Sequence, residues 1–129
     1  MTAFVGDIEK LTKMNDNFRE VLFTAKHTQL VVMCLKGGEE IGREVHGDVD
    51  QFFRIEEGEA EFLFNDVERH HVKPDGAVIV PAGTIHNVIN LSKTKNLKLY
   101  TLYSPPNHPE NTVHATKADA DAAEEHHKH

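Results

Sequence analysis

Apolar residues recur along most of this chain in short runs separated by glycine, proline and asparagine. The runs Arg19–Thr24, Thr28–Leu35, Glu40–His46, Gln51–Glu56, Ala60–Asn65, Val67–Val72, Ala77–Val80, Ile85–Leu91 and Leu97–Tyr103 are rich in Val, Ile, Phe or Tyr. Their lengths and composition predict strands. Turn signals lie between them at Gly37-Gly38, Gly47-Asp48, Gly58, Asn65-Asp66, Pro74-Asp75-Gly76 and Pro81-Ala82-Gly83. Only DIEKLTKMN, residues 7–15, departs early from this pattern. Its apolar positions Ile8, Leu11 and Met14 are three apart, which predicts one short amphipathic helix capped by Asp7, with Lys10 and Lys13 facing water. Many short strands with no helices between them predict an all-β antiparallel sandwich or closed barrel and exclude a parallel βαβ fold. Beyond Tyr103 the pattern fails. Pro105, Pro106 and Pro109 prevent a regular strand, and the Ala- and acid-rich stretch 116–125 reads as a short peripheral helix or a mobile tail.

Composition narrows the function more than the fold. A chain of 129 residues that is 39% apolar supports one self-sufficient core and is too apolar for disorder. Its longest apolar runs are too short to span a membrane. The start, MTAFVGDIEK, has neither a basic n-region nor an apolar h-region, so no secretory signal is expected. Cys34 is the single cysteine, which excludes an internal disulfide and fits a cytoplasmic protein. A net charge of −7 disfavours nucleic acid and anionic membranes as partners and leaves a small molecule. Ten histidines are an excess, and they mark where chemistry should be sought.

Two segments concentrate the polar residues of interest. The first runs from Gly38 through Glu44, His46 and Gln51 to Gly58; the second runs from Asp75-Gly76 through Pro81, Gly83 and His86 to Asn90. Together they resemble the two motifs of the cupin family. The first family motif is a Gly, five residues, H-x-H, three or four residues, Glu, six residues and Gly. The second is a Gly, five residues, P-x-G, two residues, His, three residues and Asn. Gly38, His46 and Gly58 match the first in register, and Pro81, Gly83, His86 and Asn90 match the second. The resemblance covers about residues 28–103 and implies a double-stranded β-helix, a small jelly-roll barrel. Residues 1–27 would then form an N-terminal helix and strand extension, and 104–129 a C-terminal tail. A homodimer is also implied.

In that register Glu44 stands where the family has its first His, Gln51 stands where it has its Glu, and Asp75 replaces the second motif's Gly. The implied metal ligands are therefore Glu44, His46, Gln51 and His86. Three neutral His and one carboxylate carry one negative charge, and so does this exchanged set. Carboxylate, imidazole and amide donors suit divalent Zn, Fe, Mn, Ni or Co, and the absence of thiolate argues against a soft site. Glu44 and His46 are two apart and share one strand face. Gln51 is at an odd separation from His46, so the turn at Gly47-Asp48 must reset the register. Asp48 is a rival ligand; with His46 and His86 it would make a two-His, one-carboxylate triad.

The resemblance implies a metal-dependent enzyme acting on a small oxygen-rich molecule, with isomerase, epimerase or lyase chemistry through an enolate. An Fe(II) dioxygenase and a non-catalytic ligand- or metal-sensing module are the alternatives. Asp48, Asp50, Tyr100 and Tyr103 are candidate bases by position only. His70 and His71 read as exposed hairpin residues, His108 and His114 as part of a solvated tail, Glu56, Glu57 and Glu59 as a solvated tip, and Cys34 as inert. No native role is expected for His126, His127 and His129.

Overall fold

The computed structural model describes residues 2–128, with side chains described through residue 124. Helix α1 (Ile8–Met14) is followed by strands β1 (Arg19–Thr24), β2 (Gln29–Leu35), β3 (Asp50–Glu57), β4 (Ala60–Phe64), β5 (Glu68–Val72), β6 (Ala77–Val80), β7 (His86–Asn90), β8 (Leu97–Ser104) and β9 (Val113–His114), and by helix α2 (Lys117–Lys128). Six strands form one sheet in the order β6-β3-β8-β2-β1-β9, and three form a second in the order β5-β4-β7. The two sheets enclose a double-stranded β-helix, as expected.

The period-2 patterning explains which residues meet inside. Val31, Met33 and Leu35 from β2, Phe53 and Ile55 from β3, and Leu97 and Leu99 from β8 are all buried in one cluster. Phe62 of β4 closes it from the small sheet, with its ring edge-on to Phe53 at 5.1 Å between centroids. Gly58 joins β3 to β4 at φ +85, and a Cβ there would lie 2.7 Å from the Asn96 carbonyl oxygen. Asn90 ties the far end together: its Nδ2 donates to the carbonyls of Leu35, Lys36 and Lys95, and its Oδ1 accepts from the Ser92 N–H. The motif asparagine is thus a structural clamp.

Four expectations are corrected. The run Glu40–His46 is not a regular strand. It lies along β7, but Gly42 takes φ +109, and the register slips by one residue between the Glu40–Ile89 and Glu44–His86 bridges. An extra residue of this kind breaks the ladder into isolated pairs. Helix α1 is capped by Asp7, which accepts from the Lys10 N–H, yet Leu11 and Met14 are exposed while Thr12 is buried. Lys98 explains the tilt, since its ammonium donates to the Lys13 carbonyl at 2.6 Å and pairs with Asp16 at 3.1 Å. Glu56 is buried, held by the Arg54 guanidinium at 2.6 Å. The segment after Tyr103 is not a solvated tail. Fully buried Gln29 accepts from the N–H groups of Asn107 and His108 and donates to the His108 carbonyl, and β9 pairs with β1. His126, His127 and His129 fall outside the described side chains. Among the described residues no helix is long and apolar enough to cross a membrane.

A Cβ at Gly58 would meet both left-handed strain and a backbone oxygen, so Gly58→Ala should lower stability by about 2 kcal/mol or more in denaturant unfolding. A loss below about 0.5 kcal/mol would show that the β3–β4 turn relaxes freely.

Candidate functional site

Glu44 and His86 face each other as a hydrogen-bonded pair. The Glu44 N–H donates to the His86 carbonyl and the His86 N–H donates to the Glu44 carbonyl, both at 2.8 Å. Such a pair puts both side chains on one side of the backbone. His46 follows two residues later, its carbonyl held at 2.8 Å by the Gly83 N–H, where Gly83 adopts φ +82. His46 Nε2 comes within 3.1 Å of Glu44 Oε2. The two are not aligned as a hydrogen bond, and His46 Nε2 is buried without such a partner.

Gln51 opens the inward row of β3 and is buried. Its Nε2 donates to Thr101 Oγ1 at 2.9 Å, while its Oε1 is buried with no partner. A buried acceptor left unpaired costs about 1–3 kcal/mol, and a group bound against it would relieve that cost; the Tyr103 hydroxyl is its polar neighbour. His86 Nδ1 lies 3.0 Å from the Thr84 carbonyl oxygen, so Nδ1 is the protonated nitrogen and Nε2 keeps its lone pair. Burial pushes the His86 pKa down against the opposing effects of Thr84 and Glu44, keeping the ring neutral. Burial also disfavours the Glu44 carboxylate, but His46 beside it and the charge of Arg19 hold its pKa below the ordinary value. The His46 and His86 rings stand 5.5 Å apart.

The structure therefore brings Glu44, His46 and His86 to one end of the barrel, with Gln51 buried on β3 of the other sheet, opposite Tyr103. Asp48 is exposed. Among the described residues, no group of three or more His, Cys, Asp or Glu side chains stands close enough to hold a metal ion as placed, Glu44, His46 and His86 included.

A family model for the cupin domain matches residues 31–103. This chain belongs to the cupin family. The cupin is 51% identical over 127 residues to the uncharacterized protein YrkC of Bacillus subtilis, covering 95% of this chain and 68% of that one. It is 44% identical over 109 residues to the uncharacterized protein L612 of Acanthamoeba polyphaga mimivirus, covering 83% of this chain and 68% of that one. Among solved structures it is similar to BH2720 of Bacillus halodurans, with a TM-score of 0.89, 45% identity and coverage of 92% and 93% of the two chains. KdgF from Halomonas sp. shares the fold, at a TM-score of 0.64 and 20% identity over 69% of this chain and 78% of that one.

The cupin holds more at its mouth than the two motifs. A cavity of about 800 Å³ opens over Glu44 and His46 and is lined also by Arg19, His108 and His114. His108 packs edge-on against Tyr103 at 5.0 Å, and His108 Nε2 and Tyr103 Oη share a hydrogen bond at 3.2 Å. The Tyr103 ring is in turn 5.9 Å from that of His46. Of the candidate bases, Asp50 instead accepts from the Ala82 N–H, and Tyr100 stacks on Phe52 at 6.2 Å. Only Tyr103 reaches the site. Burial raises its pKa, so it holds its proton. His70 and His71 are exposed and contact Glu68 and Glu59 on the small sheet. Cys34 is buried, and burial raises its pKa, consistent with an inert thiol.

Arg19 carried a signal in the sequence. It alternates with Val21 and Phe23, so a charged residue stands on a strand's apolar face. His108 and His114 carried none, because their placement depends on Gln29, far away in sequence.

Burial and the nearby Arg19 charge push the His108 pKa down to about 3. Glu44 opposes this, while His46 and His114 reinforce it. The unfolded chain binds this proton more readily, so the resulting stability is present above pH ~6.5 and is lost as pH falls toward 3. Between pH 7 and pH 5 the parent should lose about 2 kcal/mol that a His108→Gln variant keeps, read as the difference in urea midpoints. Equal acid sensitivity in both proteins would show that His108 is freely protonated when folded.

Proposed function

We propose that this cupin binds a divalent transition-metal ion, Zn, Fe, Mn, Ni or Co, through Glu44, His46, Gln51 and His86, and acts on a small oxygen-rich organic molecule. One observation carries the reading. His46 Nε2 and Gln51 Oε1 are buried without hydrogen bonds at the same end of the barrel, beside a carboxylate and a neutral imidazole with a spare lone pair. Glu44 Oε2 and His46 Nε2 stand side by side at 3.1 Å, so the two would offer their donor atoms together to an ion. A single carboxylate leaves a divalent ion with residual positive charge toward a substrate.

Bound there, the ion would supply Lewis acidity, polarising a substrate oxygen and stabilising negative charge that develops on it. That serves isomerase, epimerase or lyase chemistry. The chain's own residues do the rest. Thr84 orients His86 through its carbonyl, and Gly83 holds the His46 backbone. Tyr103 keeps a proton at Oη beside the rings of His46 and His108. Asn107, His108, Pro109, Thr112 and His114 line the cavity over Glu44 and His46.

A second reading has its own support. Glu44, His46 and His86 are two histidines and a carboxylate, the donor set of non-heme iron oxygenases. Oxygen uptake by the Fe(II)-loaded protein with candidate diketones, thiols or catechols favours that reading. Saturable ligand binding without turnover favours a sensing module.

Protein purified without a nickel column should retain about one divalent ion per chain by elemental analysis. His46→Ala should weaken retention by at least about 100-fold while circular dichroism stays unchanged, because the core is apolar. Sub-stoichiometric binding of all five ions by the parent would contradict the reading. Unfolding of His46→Ala would make the ion structural.

A further inference from the structure

Arg19 lies opposite Met33 in the β1–β2 register, on the strand face that turns toward the core. It is only 8% exposed, and it lines the cavity above Glu44 and His46. Its Nε is buried with no hydrogen-bond partner. Its Nη1 reaches His114 Nδ1 only at 3.5 Å, and its Cζ sits 5.4 Å from the Phe18 ring centroid. Among the described residues no carboxylate lies within ion-pair distance of Arg19, although every other arginine has one. The Arg19 charge acts on Glu44 from beyond ion-pair distance and on the neighbouring Tyr103 hydroxyl, but a buried guanidinium without a contacting anion is costly.

We propose that Arg19 anchors the carboxylate of a small monoanionic substrate seated in this cavity. The guanidinium is a planar fork matched to a carboxylate's two oxygens. Charge balance selects a monoanion. Arg43, also in the lining, is already engaged by both oxygens of Asp66. Burial and the Arg19 charge lower the pKa values of His108 and His114, so neither ring adds positive charge. The lining also carries Glu44 and Glu124, which would repel a phosphate dianion. About 800 Å³ leaves room for a molecule of several carbons beyond its carboxylate. The inference names the substrate class for the proposed function, but capture by Arg19 needs no ion and is measured without one.

The test uses the full chain stripped of metal and dialysed free of chelator. The four arginines make the Nε–Hε resonances simple to assign. Lactate or gluconate should shift the Arg19 resonance saturably, whereas propane-1,2-diol and glucitol, their uncharged counterparts, should not. Phosphate should bind more weakly than the better carboxylate. Arg19→Gln should weaken carboxylate binding roughly tenfold or more, with Arg19→Lys in between, while zinc retention changes less than about threefold. The parent-protein resonances carry the test if Arg19→Gln fails to fold. No saturable shift with either carboxylate, equal binding of the uncharged counterparts, or tighter binding of phosphate overturns the proposal. Carboxylate binding by a parent protein that takes up none of the five ions when they are supplied would leave this inference standing and sink the metal reading.

Discussion

A polar group inside a β-barrel must find a partner or destabilise the fold, and this barrel is polar at one end only. Toward Asn90 no buried side-chain polar atom among the described residues lacks a partner, and Asn90 itself bridges three carbonyls and an N–H. At the opposite end His46 Nε2, Gln51 Oε1 and Arg19 Nε are buried without hydrogen bonds. An apolar replacement would spare the fold these costs. The asymmetry separates an end closed by hydrogen bonds from an end whose buried polar atoms are left for the proposed ligands.

What holds that open end in place is backbone, not side chain. The paired hydrogen bonds between Glu44 and His86 join two segments 42 residues apart, and the Gly83 N–H fastens His46. Gly42 and Gly83, both at positive φ, let the loop run beside β7 without continuing its ladder. The side chains are consequently presented by irregular backbone at a sheet edge, where they can be aimed at a common point. Regular pairing would have spaced them by the pleat alone.

Much of this was legible in the chain. Short runs rich in Val, Ile, Phe or Tyr between turn signals located β1 to β8. Motif spacing pointed to Glu44, His46, Gln51 and His86, and the structure brings Glu44 onto the side of His86 while leaving Asp48 exposed. Two of the misses share one cause. The exposed face of α1 and the fold-back of His108 onto Tyr103 depend on partners contributed by tertiary structure, whereas the Arg54–Glu56 pair is local to β3. Three prolines predict no strand between Tyr103 and β9, and that is correct. They do not predict that Gln29 supplies the hydrogen bonds a strand partner would have supplied.

The central claim is that the single carboxylate ligand is Glu44, where the family has a His, and that Gln51 replaces the family Glu with a neutral amide, so that the ligand charge stays constant. Metal affinity by chelator competition at fixed pH, for the parent, Glu44→Gln, Gln51→Glu and the double exchange, tests it directly. The account predicts weaker binding in Glu44→Gln, where the shell loses its only charge, and tighter binding in Gln51→Glu, where it gains a second. The double exchange should recover much of the parent affinity. Parent-like binding by Glu44→Gln, together with loss of the metal in Asp48→Asn, would contradict the account and make Asp48 the carboxylate ligand.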